Sequence, residues 1–360
     1  MIIKRTIILL IGVDMISRGA VFGTSAVFGV VLVALAFVFL SPDAVHATRQ
    51  IEFDFQENQV AGQITLPQNY DGEPIDCIVF VHGDGAMDRG AFGYFAPYFS
   101  TFAQQGWCTL SWDKPGVEAS EGDWLSFSMA DRAALVEAGI EALRSQSSVN
   151  VDQIGVLGFS QAGWVMPKID AAAHQVEFMV FVSPAINWMA QSNYMTQLRR
   201  SFTPDSDAKI AAEAQLDALI ENGVSYQDYV RLSESVEFFD ADDFTEQWWD
   251  FAVRNAGADM TQDLAALPAM PILLLAGGRD GQVDAQNSVE TFERLVPEDQ
   301  LRVVWFDEAG HSMLPVDERK PMSGNDGLWL LGKVMLWGSE AFVDGYWAAL
   351  NGFIAAQFEQ

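Results

Sequence analysis

Six short, mostly apolar runs constrain this chain more than any other feature: Ile78 to Val81, Cys108 to Trp112, Ile154 to Leu157, Phe178 to Val182, Ile272 to Leu275 and Leu301 to Phe306. Runs of this length are too short for helices, and with little polar alternation they suit strands covered on both faces. Most segments between them have helical periodicity. Val136, Ile140 and Leu143, for example, come after a cap signal at Ser128 with Asp131 three residues on. Buried strands alternating with helices specify a parallel sheet with helices on both faces. Upstream, Ile51 to Phe55 and Val60 to Leu66 alternate apolar with polar residues, the pattern of a half-exposed antiparallel pair. The expectation is an α/β fold on a mostly parallel, eight-stranded sheet.

One interval breaks the rhythm. From Ile186 to about Leu267 there is no strand signal, while Ala212, Leu216, Leu219 and Ile220 share one helical face before a stop at Asn222-Gly223. An insertion of that length between two sheet strands reads as a helical cap. A chain of 360 residues, half of them hydrophobic, can bury one large core with such an insertion included. Residues 48–360 are therefore read as one α/β domain with a cap at about 186–267.

Ahead of that domain, Ala20 to Leu40 carries no formal charge, with Lys4, Arg5 and Arg18 before it and Ser41-Pro42-Asp43 after it. This is an export signal or a membrane anchor. Ala44-Val45-His46-Ala47 favours cleavage after Ala47, whereas the length of the run suits a retained bilayer span. Either way residues 1–47 form a leader, and Thr48 onward is expected outside the cytoplasm, periplasmic or extracellular. The net charge of −29, from 49 acidic and 20 basic residues, disfavours nucleic acid and anionic lipid as partners. It is also the surface of a protein kept soluble in high salt. Cys77 and Cys108 each stand near the start of a strand run. A disulfide is open to them in an oxidising compartment, but a bridge between neighbouring parallel strands is usually strained, so two buried free thiols are expected.

The strand Ile154 to Leu157 runs directly into Gly158-Phe159-Ser160-Gln161-Ala162-Gly163. A serine on a tight turn from strand to helix needs small residues two before and two after it, and Gly158 and Ala162 supply them. Serine attacks an acyl carbon only with a base beside it. Of the four histidines, His46 lies in the leader, His82 in a Val81-His82-Gly83 turn and His174 ahead of a strand. His311 comes after the last strand, where the order nucleophile, acid, base places the base. Asp280, in Gly277-Gly278-Arg279-Asp280-Gly281, comes directly after its strand and is the expected acid; Asp307 and Glu308 stand too close to His311 in sequence to reach round the imidazole. Backbone N–H groups of Gln161 and Asp84 are the expected oxyanion donors, with the Asp84 carboxylate turned away from the developing charge. Trp188, a few residues beyond the strand ending Val182-Ser183-Pro184, is the candidate substrate contact at the pocket mouth.

With these elements in order the chain resembles the α/β-hydrolase superfamily, from about Ile51 to His311 with a closing helix near Phe342 to Phe358. His82-Gly83-Asp84-Gly85, Asp88-Arg89, Trp112-Asp113-Lys114-Pro115-Gly116 and Ala119-Ser120-Glu121-Gly122-Asp123 look like secreted esterases near the dienelactone-hydrolase and prolyl-oligopeptidase branch. The resemblance implies hydrolysis of small-molecule carboxylic esters through an acyl-enzyme. A peptidase or thioesterase would use the same three residues, and a binding protein could carry them idle. No metal or cofactor is expected, since the histidines lack ligand spacing and no phosphate-binding glycine loop is present.

Overall fold

The computed structural model describes residues 46–322 and 324–359. The run Ala20 to Leu40 lies outside them; among the described residues no helix is long and apolar enough to cross a membrane. Eight strands form one sheet: β1 (His46–Phe55), β2 (Asn58–Pro67), β3 (Ile75–Val81), β4 (Cys108–Trp112), β5 (Val151–Phe159), β6 (Val176–Val182), β7 (Ile272–Gly277) and β8 (Leu301–Phe306). Their spatial order is β1-β2-β4-β3-β5-β6-β7-β8. β2 runs antiparallel to both β1 and β4, and the remaining pairs are parallel. β1 begins inside the segment read as leader, since His46 and Ala47 pair with Pro67 and Leu66.

The period of two divides the sheet into two buried faces. Cys77, Val79 and Val81 of β3 point into one cluster, together with Val136, Ile140 and Leu143 of α2 (Met129–Arg144) and Phe292 of α8 (Ala285–Leu295). Ile78 and Phe80 point into the other, against Tyr98, Phe99 and Phe102 of α1 (Ala96–Gln104) and Leu350 and Phe353 of α10 (Tyr346–Phe358). Phe80 is fully buried in a nest of aromatic rings, and truncating it to alanine would cost about 3–5 kcal/mol. α2 starts where Ser128 and Asp131 make a reciprocal capping box.

The free-thiol expectation is corrected. Cys77 and Cys108 are joined in a disulfide, their Cα atoms 4.4 Å apart. The parallel register of β3 and β4 sets the two residues directly opposite each other, a separation a bridge spans without moving the backbone.

Between β6 and β7 the chain forms helices only: α3 (Trp188–Phe202), α4 (Asp207–Glu221), α5 (Tyr226–Ser233), α6 (Glu246–Asn255) and α7 (Thr261–Ala266), with one 3-10 turn at Ala241–Asp243. α4 stops at Asn222, with Gly223 next at φ 69°. Ala212, Ile220, Tyr229, Phe239, Trp249, Ala252 and Ala256 close a core belonging to this segment alone. Its two ends meet at a neck where Asn187 bridges Asp259, Trp188 N–H donates to Ala258 O and Met260 N–H donates to Ile186 O. After β8 the chain adds α9 (Gly324–Trp337) and then α10.

Candidate active site

Ser160 sits at the carboxyl end of β5 with φ +53°, a left-handed conformation that a serine adopts only when its surroundings impose it. The constraint is visible in the packing. A Cβ on Gly158 would fall 2.6 Å from the Ala162 Cβ, and one on Gly163 2.5 Å from Ala185 O. Ala185 N–H donates to Ser160 O at 3.1 Å, tying the turn to the end of β6. Beyond Ser160 the chain departs from the helix expected there: two 3-10 turns, Ser160–Trp164 and Met166–Lys168, stand in its place. Pro167 has no N–H to continue an α-helical ladder, which accounts for the break.

Asp280 and His311 come together from the loops after β7 and β8. Asp280 Oδ2 lies 2.8 Å from His311 Nδ1, and its Oδ1 accepts from the N–H groups of Gln282 at 2.7 Å and Val283 at 2.9 Å. The carboxylate is buried while the imidazole is partly exposed. The close approach of the two loops depends on glycine: a Cβ on Gly277 would meet Ala309 O at 2.7 Å, and one on Gly278 would meet Asp307 O at 2.8 Å. Asp307 itself accepts from Trp305 Nε1 at 2.9 Å, and exposed Glu308 lies 3.9 Å from Arg279. Neither is bonded to the imidazole.

The loop after β3 lies beside the serine, since a Cβ on Gly83 would sit 3.4 Å from Ser160 Cβ. Asp84 is exposed and its Oδ1 accepts from Gln161 Nε2 at 3.0 Å, while Gln161 Oε1 accepts from Arg132 Nη1. Thus the two residues assigned as backbone donors are linked through their side chains. Beneath them lie two buried basic side chains that sequence reasoning missed. Lys114 Nζ donates to Gly83 O at 2.6 Å and Gly85 O at 2.7 Å; Arg132 Nη2 donates to His82 O at 2.7 Å and, more weakly, to Gly83 O at 3.4 Å. Burial pushes the Lys114 amine well down from its ordinary range. It lowers Arg132 to about 10, which leaves the guanidinium charged at neutral pH. The signal for Arg132 was present, because Arg132, Val136, Ile140 and Leu143 continue one helical stripe.

His82 is fully buried and its Nε2 lies 3.1 Å from Asp88 O. Burial, reinforced by Lys114 and Arg132, lowers its pKa to about 3, so it stays a neutral structural imidazole. Asp113 and Arg89 form a bidentate pair that pins the same loop to the end of β4. Burial alone would raise the Asp113 pKa, but the hydrogen bonds from Arg89 hold it below its ordinary value.

The helical segment touches the site from the side. Tyr194 of α3 donates its hydroxyl to Asp280 O at 2.6 Å, a contact that no sequence pattern announced. Trp188 stacks on Trp164 with ring centroids 5.2 Å apart and leans on Phe251, filling the neck. A cleft of about 180 Å³ reaches His311, and its walls come from the loops after β7 and β8, Gly281 and Gln282 among them, and from α9 with the segment before it; Trp188 does not line it. Its lining carries both signs of charge, Arg279, Lys320 and Lys333 with Asp317, Glu318 and Asp326, and Lys320 Nζ lies 3.4 Å from Asp326 Oδ1.

Residues 78–321 match the family model described as the alpha/beta hydrolase family, and the chain belongs to that family. Among characterised proteins it is 22% identical over 284 residues to Esterase EstD of Thermotoga maritima, a match spanning 76% of this chain and 62% of that protein. Among solved structures it is similar to the esterase Pf2001 of Pyrococcus furiosus, at 16% identity and a TM-score of 0.55, covering 86% of this chain and 91% of that one. Est1E of Butyrivibrio proteoclasticus, solved with ferulic acid bound, matches at 14% identity and a TM-score of 0.52, over 86% of this chain and 100% of that one. The likeness to these solved structures is one of fold.

Proposed function

We propose that this chain hydrolyses carboxylic esters by way of an acyl group carried on Ser160. The observation that carries the reading is the 2.8 Å contact between His311 Nδ1 and a buried Asp280 carboxylate fixed by two backbone N–H groups. With Nδ1 bearing its proton toward Asp280, Nε2 is left as the basic nitrogen. In this reading Ser160 Oγ attacks the ester carbonyl carbon and its proton passes to His311 Nε2. The tetrahedral oxyanion rests on the N–H groups of Asp84 and Gln161. The leaving alkoxide takes the proton from Nε2, and water, deprotonated by the same nitrogen, releases the acid and restores Ser160.

Loops that come after parallel strands share one end of the sheet, which is where open α/β folds bind ligands. The loops bearing Asp84, Ser160, Asp280 and His311 come after β3, β5, β7 and β8. The esterase relatives support an ester over an amide, and the acidic surface disfavours anionic substrates. Trp188 enters the reading through Trp164, as the aromatic that sets the cap's neck near Ser160. The disulfide supports export of the domain by the leader, because such bridges persist in oxidising compartments.

The test is a panel of aryl acyl esters of rising chain length beside aminoacyl anilides, with wild type and Ser160→Ala. Ester turnover and fluorophosphonate labelling are expected in the wild type and absent from the variant. Ester turnover that survives in Ser160→Ala overturns the assignment, and turnover of anilides alone makes the chain a peptidase.

A further inference from the structure

The peptide joining Gly83 to Asp84 is held by its carbonyl end. Gly83 O accepts from Lys114 at 2.6 Å and from Arg132 at 3.4 Å, while the preceding carbonyl, His82 O, accepts from Arg132 and Gly85 O, two residues on, accepts from Lys114. In a trans peptide the C=O and N–H point in opposite directions. A carbonyl drawn down to Lys114 therefore turns the Asp84 N–H away from Lys114 and Arg132, and Gly83 already abuts Ser160. Lys114 is 3% exposed and Arg132 7%. Neither makes a direct ion pair among the described residues; their hydrogen bonds go to this loop and to Gln161, with one weak bond from Arg132 Nη1 to Met129 Sδ at 3.9 Å.

We propose that Lys114 and Arg132 are positioning residues for oxyanion binding, acting on the reacting carbonyl through the Gly83–Asp84 peptide and through Gln161. The inference rests on the ester-hydrolase reading above. Two effects are combined. The first is orientation: without donors, buried carbonyls at His82, Gly83 and Gly85 would turn to find water, and the Asp84 N–H would turn with them. The second is polarisation, because a carbonyl that accepts two hydrogen bonds, one of them from the charged Arg132 guanidinium, makes the N–H of its own peptide a stronger donor. Arg132 extends the hold to the second donor, since its Nη1 donates to Gln161 Oε1 and Gln161 Nε2 donates to Asp84 Oδ1. One buried guanidinium thus sets both halves of the oxyanion site, where a side chain present only for packing would be apolar.

The experiment uses the full chain, with Lys114→Met, Lys114→Gln, Arg132→Met and Arg132→Lys, each checked by its melting temperature. Steady-state kinetics on an aryl acetate are paired with the affinity of an arylboronic acid, which forms a tetrahedral adduct on Ser160 and places an oxygen where the oxyanion would lie. Loss of one oxyanion donor lowers kcat by about 100–1,000-fold. In the Met variants kcat is expected to fall at least tenfold, with KM within twofold and boronate affinity falling in step. Arg132→Lys and Lys114→Gln, which keep an N–H donor group at each position, are expected to recover part of the loss. Should a Met variant fail to fold, the conservative variant of that residue carries the comparison. A folded Lys114 or Arg132 variant with kcat and boronate affinity within twofold of wild type overturns the proposal, as does a loss confined to KM. Absence of Ser160-dependent turnover in the wild type would instead sink the ester reading, and the boronate series would still report on the clamp.

Discussion

Asp280 commits both carboxylate oxygens, one to His311 Nδ1 and one to the N–H groups of Gln282 and Val283. Asp280→Asn would leave the backbone bonds in place and offer an amide N–H to Nδ1, forcing the imidazole into the tautomer that has no free lone pair at Nε2. In the proposed mechanism kcat is expected to fall by about 10⁴-fold, whereas Asp307→Asn, whose carboxylate meets Trp305 at the surface, leaves it within twofold. Steady-state kinetics on the two variants decides between them. His82 carries a prediction of another kind. Its folded pKa of about 3 lies below the ordinary 6.5, so as pH falls through that interval the unfolded chain takes up a proton that the folded chain refuses. Stability is complete above pH 6.5 and from this group alone declines by about 1.4 kcal/mol per pH unit on the way down. Denaturant unfolding between pH 7 and 4.5 is expected to show a shallower decline in His82→Gln.

The strands were legible because covered strands leave apolar runs and helices leave their own period, as β3, β7 and α2 demonstrate. Register was not legible. Whether Cys77 stands opposite Cys108 depends on the slide between two parallel strands joined by a long crossover, and no local pattern records that slide. The roles of Lys114 and Arg132 were hidden for a different reason: although Arg132 lay on a legible buried stripe, both side chains hold backbone carbonyls distant in sequence, and a carbonyl has no letter in the alphabet. The bridge closes a loop containing the Gly83–Asp84 peptide, Arg89 and α1, with a sequence separation of 31. Chain entropy assigns such a closure about 3–4 kcal/mol. A Cys77→Ala, Cys108→Ala double variant is expected to lose stability of that order in denaturant titrations. Its turnover at 25 °C should be unchanged, because the bridge lies at the opposite end of the strands from Ser160.

At the scale of the whole molecule the helical segment adds a third core to the two on the faces of the sheet, and it docks on the body through Phe251, buried in the sheet's core, and Asn255, which accepts from Met129 N–H and donates to Phe127 O. The segment buries Tyr229 and Trp249 among its own side chains, and it reaches the loop bearing Asp280 through Tyr194. The neck is narrow: Asn187 Nδ2 donates to Asp259 Oδ2 at 3.0 Å, and Trp188 N–H donates to Ala258 O at 2.9 Å. Strands that leave and return antiparallel at such a distance can be joined by a turn of about two residues. Replacing 189–257 with Asn-Gly removes Phe251 and Asn255 from the sheet's core as well, so the chain is expected to fold with a lowered melting temperature, by circular dichroism and a cooperative melt, and with a changed order of preference among acyl chain lengths. The chain enters and leaves this segment through a single doorway. Whatever the segment selects can then be traded for another selection, by recombination in a lineage or by splicing at the bench, while the hydrolytic machinery behind the door keeps its register.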